Sequence, residues 1–324
     1  MKRTPREAIL VVFAAFTCCV AAAQESKMQD ARELIRDPHF QRGFEVYDPK
    51  PGKKVVSGVL QWGDGAGKPV WGLAQWSSKS PLAGAKPERL PSGAVRFSNE
   101  AKAIAVGPAG TDDADLVMRV NARVEYGDRP RQKGEPWPHL LVEQAIEGHP
   151  SLASLQALQF EISVRLRHCE KFPMDGYTPN LHAAHFQVFI TVQNRNRKSP
   201  GFGDFLWFGI PLYDDRRRIP TPFMAPDTGH NKFIYTPHGQ TFTSESAHGG
   251  QWVAVKSDLL PIMREALQVA WERGFLKDSQ ELADYCLGGI NIGWEVPGIF
   301  NVELQVRDLS LKAVQRVGQA SRLP

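Results

Sequence analysis

Several segments of this 324-residue chain alternate apolar and polar residues one for one. A period of two commits a segment to a strand, with one set of side chains in a core and the other on the opposite face. Over 116–124, Leu116, Met118, Val120, Ala122 and Val124 point one way and Arg119, Asn121 and Arg123 the other. Over 160–168, Phe160, Ile162, Val164 and Leu166 oppose Glu161, Ser163, Arg165 and Arg167. Over 185–193, Phe186, Val188, Ile190 and Val192 oppose His185, Gln187, Phe189, Thr191 and Gln193. Near the end, Val302, Leu304 and Val306 oppose Glu303, Gln305 and Arg307, and the pattern slips at Asp308 as a β-bulge would make it slip.

The segment "FLWFGIPLY" is apolar on both faces, with Phe205, Trp207 and Tyr213 on one and Leu206, Phe208, Ile210 and Leu212 on the other. A strand covered on both sides reads this way. Helical periodicity is scarce. "SDLLPIMREALQVAWERGF" carries an apolar stripe (Ile262, Met263, Ala266, Leu267, Ala270, Trp271), with Ser257 or Asp258 placed to cap it and Gly274 to end it. "SKMQDARELIRDP" predicts a short opening helix ended by Pro38, and "DSQELADY" a brief turn of helix with Asp278 and Glu281 as a capping box. Clusters such as "GDGAGKP" and "IPTPFMAPDTG" mark loops, and "GDRPRQKGEPWPH" predicts the longest one. Many short strands and few helices predict an all-β fold: a two-sheet antiparallel β-sandwich of jelly-roll type with a few short peripheral helices.

The first residues combine Lys2, Arg3 and Arg6, an apolar run from Ala8 to Val20, and Ala21-Ala22-Ala23. That layout predicts a signal peptide over 1–23 with cleavage after Ala23, a secreted or periplasmic product, and one β-sandwich domain over 24–324. Loss of three basic residues and one acid lowers the formal charge from +4 to +2. A near-neutral chain makes no electrostatic case for nucleic acid. No later stretch has the roughly 20 apolar residues of a membrane span, so no stable membrane insertion is expected. Cys169 and Cys286 remain of the four cysteines, too few for a disulfide framework, and the residues around them do not say whether they pair.

His182 and His185 are three apart, which on a helix would suit one metal ion; on a strand they face opposite ways. No metal site is expected of them, and no cofactor. The acidic loops "GTDDAD" (Asp112, Asp113, Asp115) and "LYDDRRR" (Asp214, Asp215) hold oxygen ligands that a structural calcium ion would use, and equally the residues of solvated turns. No nucleophile motif surrounds a serine or cysteine, and Glu143, Glu161, Glu295 and Glu303 are carboxylates on or near strands with nothing to single out a pair. The polar strand faces are the most informative feature. Arg119, Asn121, Arg123, Arg167, Gln187 and Gln193 offer planar hydrogen-bonding groups suited to sugar hydroxyls and carboxylates, and Trp207 a ring face for stacking. The expected partner is therefore a polysaccharide or oligosaccharide. If the same face catalyses, Arg165 pairs with a uronate carboxylate, His185 or Tyr235 takes the α-proton and Tyr213 donates to the leaving oxygen; a hydrolase would use two of the glutamates instead.

The closing "GWEVPGIFNVELQVRDLSL", with the leader and the alternating body, resembles secreted jelly-roll proteins of carbohydrate metabolism: carbohydrate-binding modules and concanavalin-like polysaccharide lyases. The resemblance implies the sandwich and a concave carbohydrate-facing sheet. Jelly-roll alginate lyases carry an arginine, a glutamine, a histidine and a tyrosine there. Their ordered strand signatures are absent from this chain, and "HFQ" at His185–Gln187 has two of the residue types in reverse order.

Overall fold

The computed structural model describes residues 31–316 apart from 64–66, 112, 173, 228 and 230, so the expected leader and Asp112 lie outside the described residues. The first strands in chain order are β1 (Ala31–Glu33), β2 (Phe44–Tyr47), β3 (Val56–Leu60), β4 (Trp71–Ala74), β5 (Glu88–Arg89), β6 (Val95–Ser98), β7 (Lys102–Val106) and β8 (Leu116–Asn121). Then follow β9 (His139–Ala145), β10 (Leu155–Lys171), β11 (His185–Asn194), β12 (Phe205–Asp214) and β13 (Phe223–Pro226). The last are β14 (Phe233–Thr236), β15 (Val253–Asp258), β16 (Tyr285–Glu295) and β17 (Phe300–Gln315). Sheet A has the order β15-β10-β17-β8-β7-β6-β5, with β1 also on β17; sheet B has the order β13-β14-β12-β11-β16-β9-β4-β2-β3. Pairing is antiparallel except for β2–β4 and β12–β14, which flank sheet B and run parallel.

The alternating residues make the core. Ile162, Val164, Val302, Leu304 and Val306 of sheet A meet Phe186, Val188, Ile190, Phe208 and Trp294 of sheet B, all with essentially no exposed surface. Trp294 is tied across the interior, its indole N–H donating to the Met118 carbonyl at 3.0 Å. Helix α1 (Ala122–Tyr126) follows β8 directly. The alternation over 116–124 therefore ends at Asn121, Arg123 leaves the strand face, and Val124 is exposed. Helix α2 (Leu259–Glu272) buries Leu260, Met263, Ala266, Leu267 and Ala270 against β10 on one sheet and β12 and β14 on the other, closing one edge of the sandwich. Asp258 caps it, accepting from the Leu260 N–H at 3.1 Å and from the Leu158 N–H at 2.8 Å.

One expected helix is corrected, and the cap of another. Ala31–Glu33 is strand, paired with Lys312–Val314, where a short helix was expected. A brief helix with no tertiary partner gains little, whereas this edge supplies a ladder and a turn in which Glu33 accepts from the N–H groups of Leu34, Ile35 and Leu311. The turn after Asp278 is a 3-10 turn at Leu282–Asp284, and Ser279, not Asp278, accepts the Glu281 N–H. The slip near Asp308 is present: that residue has φ 59°, and the β10–β17 register shifts beside it.

Candidate functional site

The outer face of sheet B carries a transverse groove of about 410 Å³ that runs from Tyr47 and Lys54 across β9, β16 and β11 to Trp207 and Phe205. Five inter-strand spacings separate β2 from β12, a length of roughly 24 Å. The strands position its side chains by alternation: Glu143 on β9 pairs with Asn291 on β16, which pairs with Phe189 on β11. One extra residue in β16 opens the floor. Between Ile190 and Val192 the partner strand advances from Ile290 to Leu287, and the Thr191 hydroxyl accepts the freed Gly289 N–H at 2.8 Å. A side chain at Gly288 would collide with the Thr191 hydroxyl, so glycine keeps this part of the floor flat.

One end of the groove is aromatic. Trp207 meets Phe205 edge-on at 5.1 Å between ring centroids and Phe189 at 5.9 Å. Beside them the Gln193 amide accepts from Arg195 at 3.1 Å. At the other end Lys54 is ion-paired with Glu143. Burial and the charges of Glu143 and Glu45 push the Tyr47 phenol up to about 12, so it stays a proton donor. Between the two ends, the Asn291 side-chain oxygen is buried and takes no hydrogen bond from the described residues.

Along the strands from this groove lies a second polar row, His139, Glu295, His185 and Asp214, neighbours on β9, β16, β11 and β12. Glu295 accepts from Gln187 at 3.0 Å and from the Trp137 indole at 3.1 Å, with His139 3.6 Å away. Burial would raise its carboxyl, but the His139 contact, the histidine charges and the indole N–H outweigh it and hold it at about 2. Arg216 grips Asp214 with two nitrogens and donates to His185 Nε2 at 2.8 Å. Arginine has no acceptor, so Nε2 must be the unprotonated nitrogen and Nδ1 carries the proton. Burial lowers the affinity of His185 for a second proton, and the Arg216 charge adds to that against the pull of Asp214.

The residues expected to act together are divided between two faces. His185, Gln187, Gln193 and Trp207 share the outer face of sheet B. Arg119, Asn121, Arg165 and Arg167 stand on β8 and β10 of sheet A, on the far side of the sandwich, so Arg165 and His185 do not meet at one ligand. Arg123 lies over the Phe172 ring at 5.3 Å. Tyr213 belongs to the core, 3% exposed, because β12 has an extra residue: Pro211 opposes Gln187 while Tyr213 opposes Phe186, and the side chain turns inward onto Trp294 and Cys169. Tyr235 is 2% exposed and donates to Glu265 of α2 at 2.9 Å, closed off from both outer faces. The outer-face role expected of these two tyrosines is therefore corrected. His182 is fully buried; its Nδ1 accepts from the Thr178 N–H at 2.8 Å and its Nε2 lies 2.8 Å from the Arg131 carbonyl, tying two loops together.

Cys169 and Cys286 are unbonded thiols on opposite sheets. The acidic loops are engaged by the protein. Asp115 accepts from Asp308 N–H at 3.2 Å and lies 2.7 Å from His39, and Asp215 accepts from Ala184 N–H at 2.8 Å. Among the described residues no group of three or more His, Cys, Asp or Glu could hold a metal ion.

Of the groove residues, sequence reasoning missed Tyr47, Lys54, Arg195 and Asn291 and left Glu143 among four undistinguished glutamates. The signal available was in "GGINIGWE": Ile290, Ile292 and Trp294 alternate inward, so Asn291 and Glu295 must face out, but Gly289 and Gly293 fill the other positions of that face.

No family model matches the chain, and no curated protein is similar to it. Among solved structures, the endoglucanase cel12A from Rhodothermus marinus is similar at 11% identity and a TM-score of 0.37, over 72% of this chain and 97% of that one. The native family 12 xyloglucanase from Bacillus licheniformis gives 9% identity and a TM-score of 0.39, over 71% and 97%. The family 11 xylanase from Neocallimastix patriciarum gives 8% and 0.36, over 71% and 96%. Values this low carry no argument about activity.

Proposed function

We propose that this is an exported glycan-binding protein whose sheet B groove holds a segment of a polysaccharide, with Trp207 against a sugar ring and Asn291, Gln193 and Glu143 on its hydroxyls. The observation that carries the reading is the joining, within one groove, of an aromatic end, Trp207 with Phe205 and Phe189, to the polar side chains of Gln193, Asn291 and Glu143. A ring face beside a few fixed polar groups is what a sugar site requires. Binding is favoured over hydrolysis because Glu143 is the one carboxylate among the described groove-lining residues. Paired carboxylates work about 5–10 Å apart; along the strands Glu295 is four residues away in register, roughly 13 Å, and across them Glu45 stands two spacings from Glu143, roughly 10 Å, with the Tyr47 ring lying over Gly72 between the two. Binding is favoured over a uronate lyase because the acceptor nitrogen of His185 is taken by Arg216.

Affinity electrophoresis against a panel of neutral glucans and xylans tests the proposal. Retardation of the wild type that is lost in Trp207→Ala is the expected result. No retardation by any glycan would remove the reading. Release of reducing ends that disappears in Glu143→Gln would replace binding by hydrolysis.

A further inference from the structure

Phe205, at the aromatic end of the groove, also lines a second cavity of about 270 Å³. Strand register explains why the two adjoin. In the parallel pair β12–β14, Trp207 stands opposite Ile234, so Phe205 and Lys232, each two residues earlier, fall side by side on the same outer face. The Lys232 ammonium lies 5.6 Å from the centre of the Phe205 ring and donates to Asp204 at 2.5 Å. The facing wall is the segment 274–278 that follows α2. Two contacts clamp the end of that helix to the β13–β14 hairpin: Phe275 stacks on Phe233 at 4.9 Å, and Arg273 donates to the Met224 carbonyl at 2.9 Å. The cavity therefore lies between elements that the fold holds in place, with Asp204, Asn231, Lys232 and Asp278 among its lining residues.

We propose that this cavity is a further subsite for one uncharged sugar unit, so that a neutral polysaccharide chain leaving the groove at Trp207 continues past Phe205 toward β14. The inference rests on the glycan reading of the groove. The cavity's volume is close to that of the smallest ligand sites, about 300 Å³. A sugar hydroxyl both donates and accepts, and the cavity offers both partners: the Lys232 ammonium donates, and the Asp204 and Asp278 carboxylates accept. Those carboxylates repel an acidic sugar, and the ammonium is already bonded to one of them, so a neutral unit is favoured. Phe205 sets an apolar ring beside these polar groups. Reaching β14 adds one inter-strand spacing, roughly 5 Å, to the span of the groove.

The test is titration calorimetry of the full protein against neutral xylan and glucan oligosaccharides of increasing length. In the wild type, affinity should keep rising beyond the length at which two cavity variants level off. Lys232→Met keeps the side-chain stem and removes the ammonium. Asn231→Gly removes the amide at a residue whose φ of 54° glycine adopts freely, and it covers the case in which the first variant disturbs the hairpin. Each should weaken the longest oligosaccharides about tenfold and leave the shortest unchanged. Trp207→Ala should weaken every length, so the groove and the subsite are read separately. Levelling at the same length in the wild type and both variants, or an equal loss at every length in both, overturns the subsite and leaves the groove standing. Absence of binding at any length removes the groove reading and the subsite with it.

Discussion

Replacing Lys102 by methionine should be among the most damaging single changes in this fold. Lys102 and Glu125 form an ion pair with side chains 0% and 2% exposed, joining β7 to α1. Glu125 also accepts from the Ser78 hydroxyl at 2.7 Å and the Lys79 N–H at 2.6 Å. Methionine fills the volume of the lysine stem, so little of the effect comes from a cavity. What remains is a carboxylate sealed in the interior with two neutral donors, a loss of about 3–5 kcal/mol. That corresponds to a fall in Tm of roughly 10 °C for a domain of this size. The pH dependence gives the sharper test. Burial would raise the Glu125 carboxyl, but the Lys102 charge and bond outweigh it and hold it below its usual 4.5. Its contribution is therefore complete above pH 4.5 and is lost as pH falls through the lower folded value. In the variant the cation is gone and burial moves the carboxyl upward, so acidification relieves the penalty and the two stability curves converge at low pH. Urea unfolding followed by tryptophan fluorescence across that range measures both curves. A neutral-pH loss under about 1 kcal/mol, or a gap that stays constant on acidification, would refute the assignment of the energy to this pair.

Other predictions are more local. Trp207→Ala should lower neutral-glycan affinity about thirtyfold, the value of a hot-spot aromatic worth about 2 kcal/mol, as read by titration calorimetry. Tyr235→Phe should lose about 1 kcal/mol of stability through its bond to Glu265 and leave glycan binding unchanged, which a thermal melt and one gel establish together. Glu295, held at about 2, contributes stability that is present above its ordinary 4.5 and lost as pH falls toward 2; Glu295→Gln should flatten that part of the acid-unfolding profile. Calcium in excess over chelator should move Tm by less than about 1 °C, because Asp115, Asp214 and Asp215 already have protein partners.

The strands with clean alternation were legible because one face of each is buried, and 160–166, 186–192 and 302–306 take their places in the core. Three kinds of information were not in the local pattern. An extra residue inverts everything beyond it, and "FLWFGIPLY" shows no mark of the one at Leu212; Tyr213 therefore reads as an outer residue when it is a core one. Glycine hides a polar face, as in β16, where Gly289 and Gly293 flank Asn291 in the positions that would have displayed the alternation.

The third is sheet membership, and it decides where the candidate site lies. Alternation says that Arg165 and His185 both point away from a core, and it is silent on which sheet carries each. That depends on pairings between distant segments: β10 joins β17, with Arg165 opposite Gln305, and β11 joins β16, with His185 opposite Glu295. In "LHAAHFQVFITVQN" the consequence is concrete. His182 falls in the loop before the strand and turns inward to the Arg131 carbonyl, while His185 opens β11 and meets Glu295 and Asp214 on either side. Two histidines three residues apart thus serve opposite purposes, one securing a loop and one set in a polar row. The arginines that looked like their partners, Arg119, Arg165 and Arg167, stand on β8 and β10 of the other sheet, so no single ligand in the groove reaches both sets.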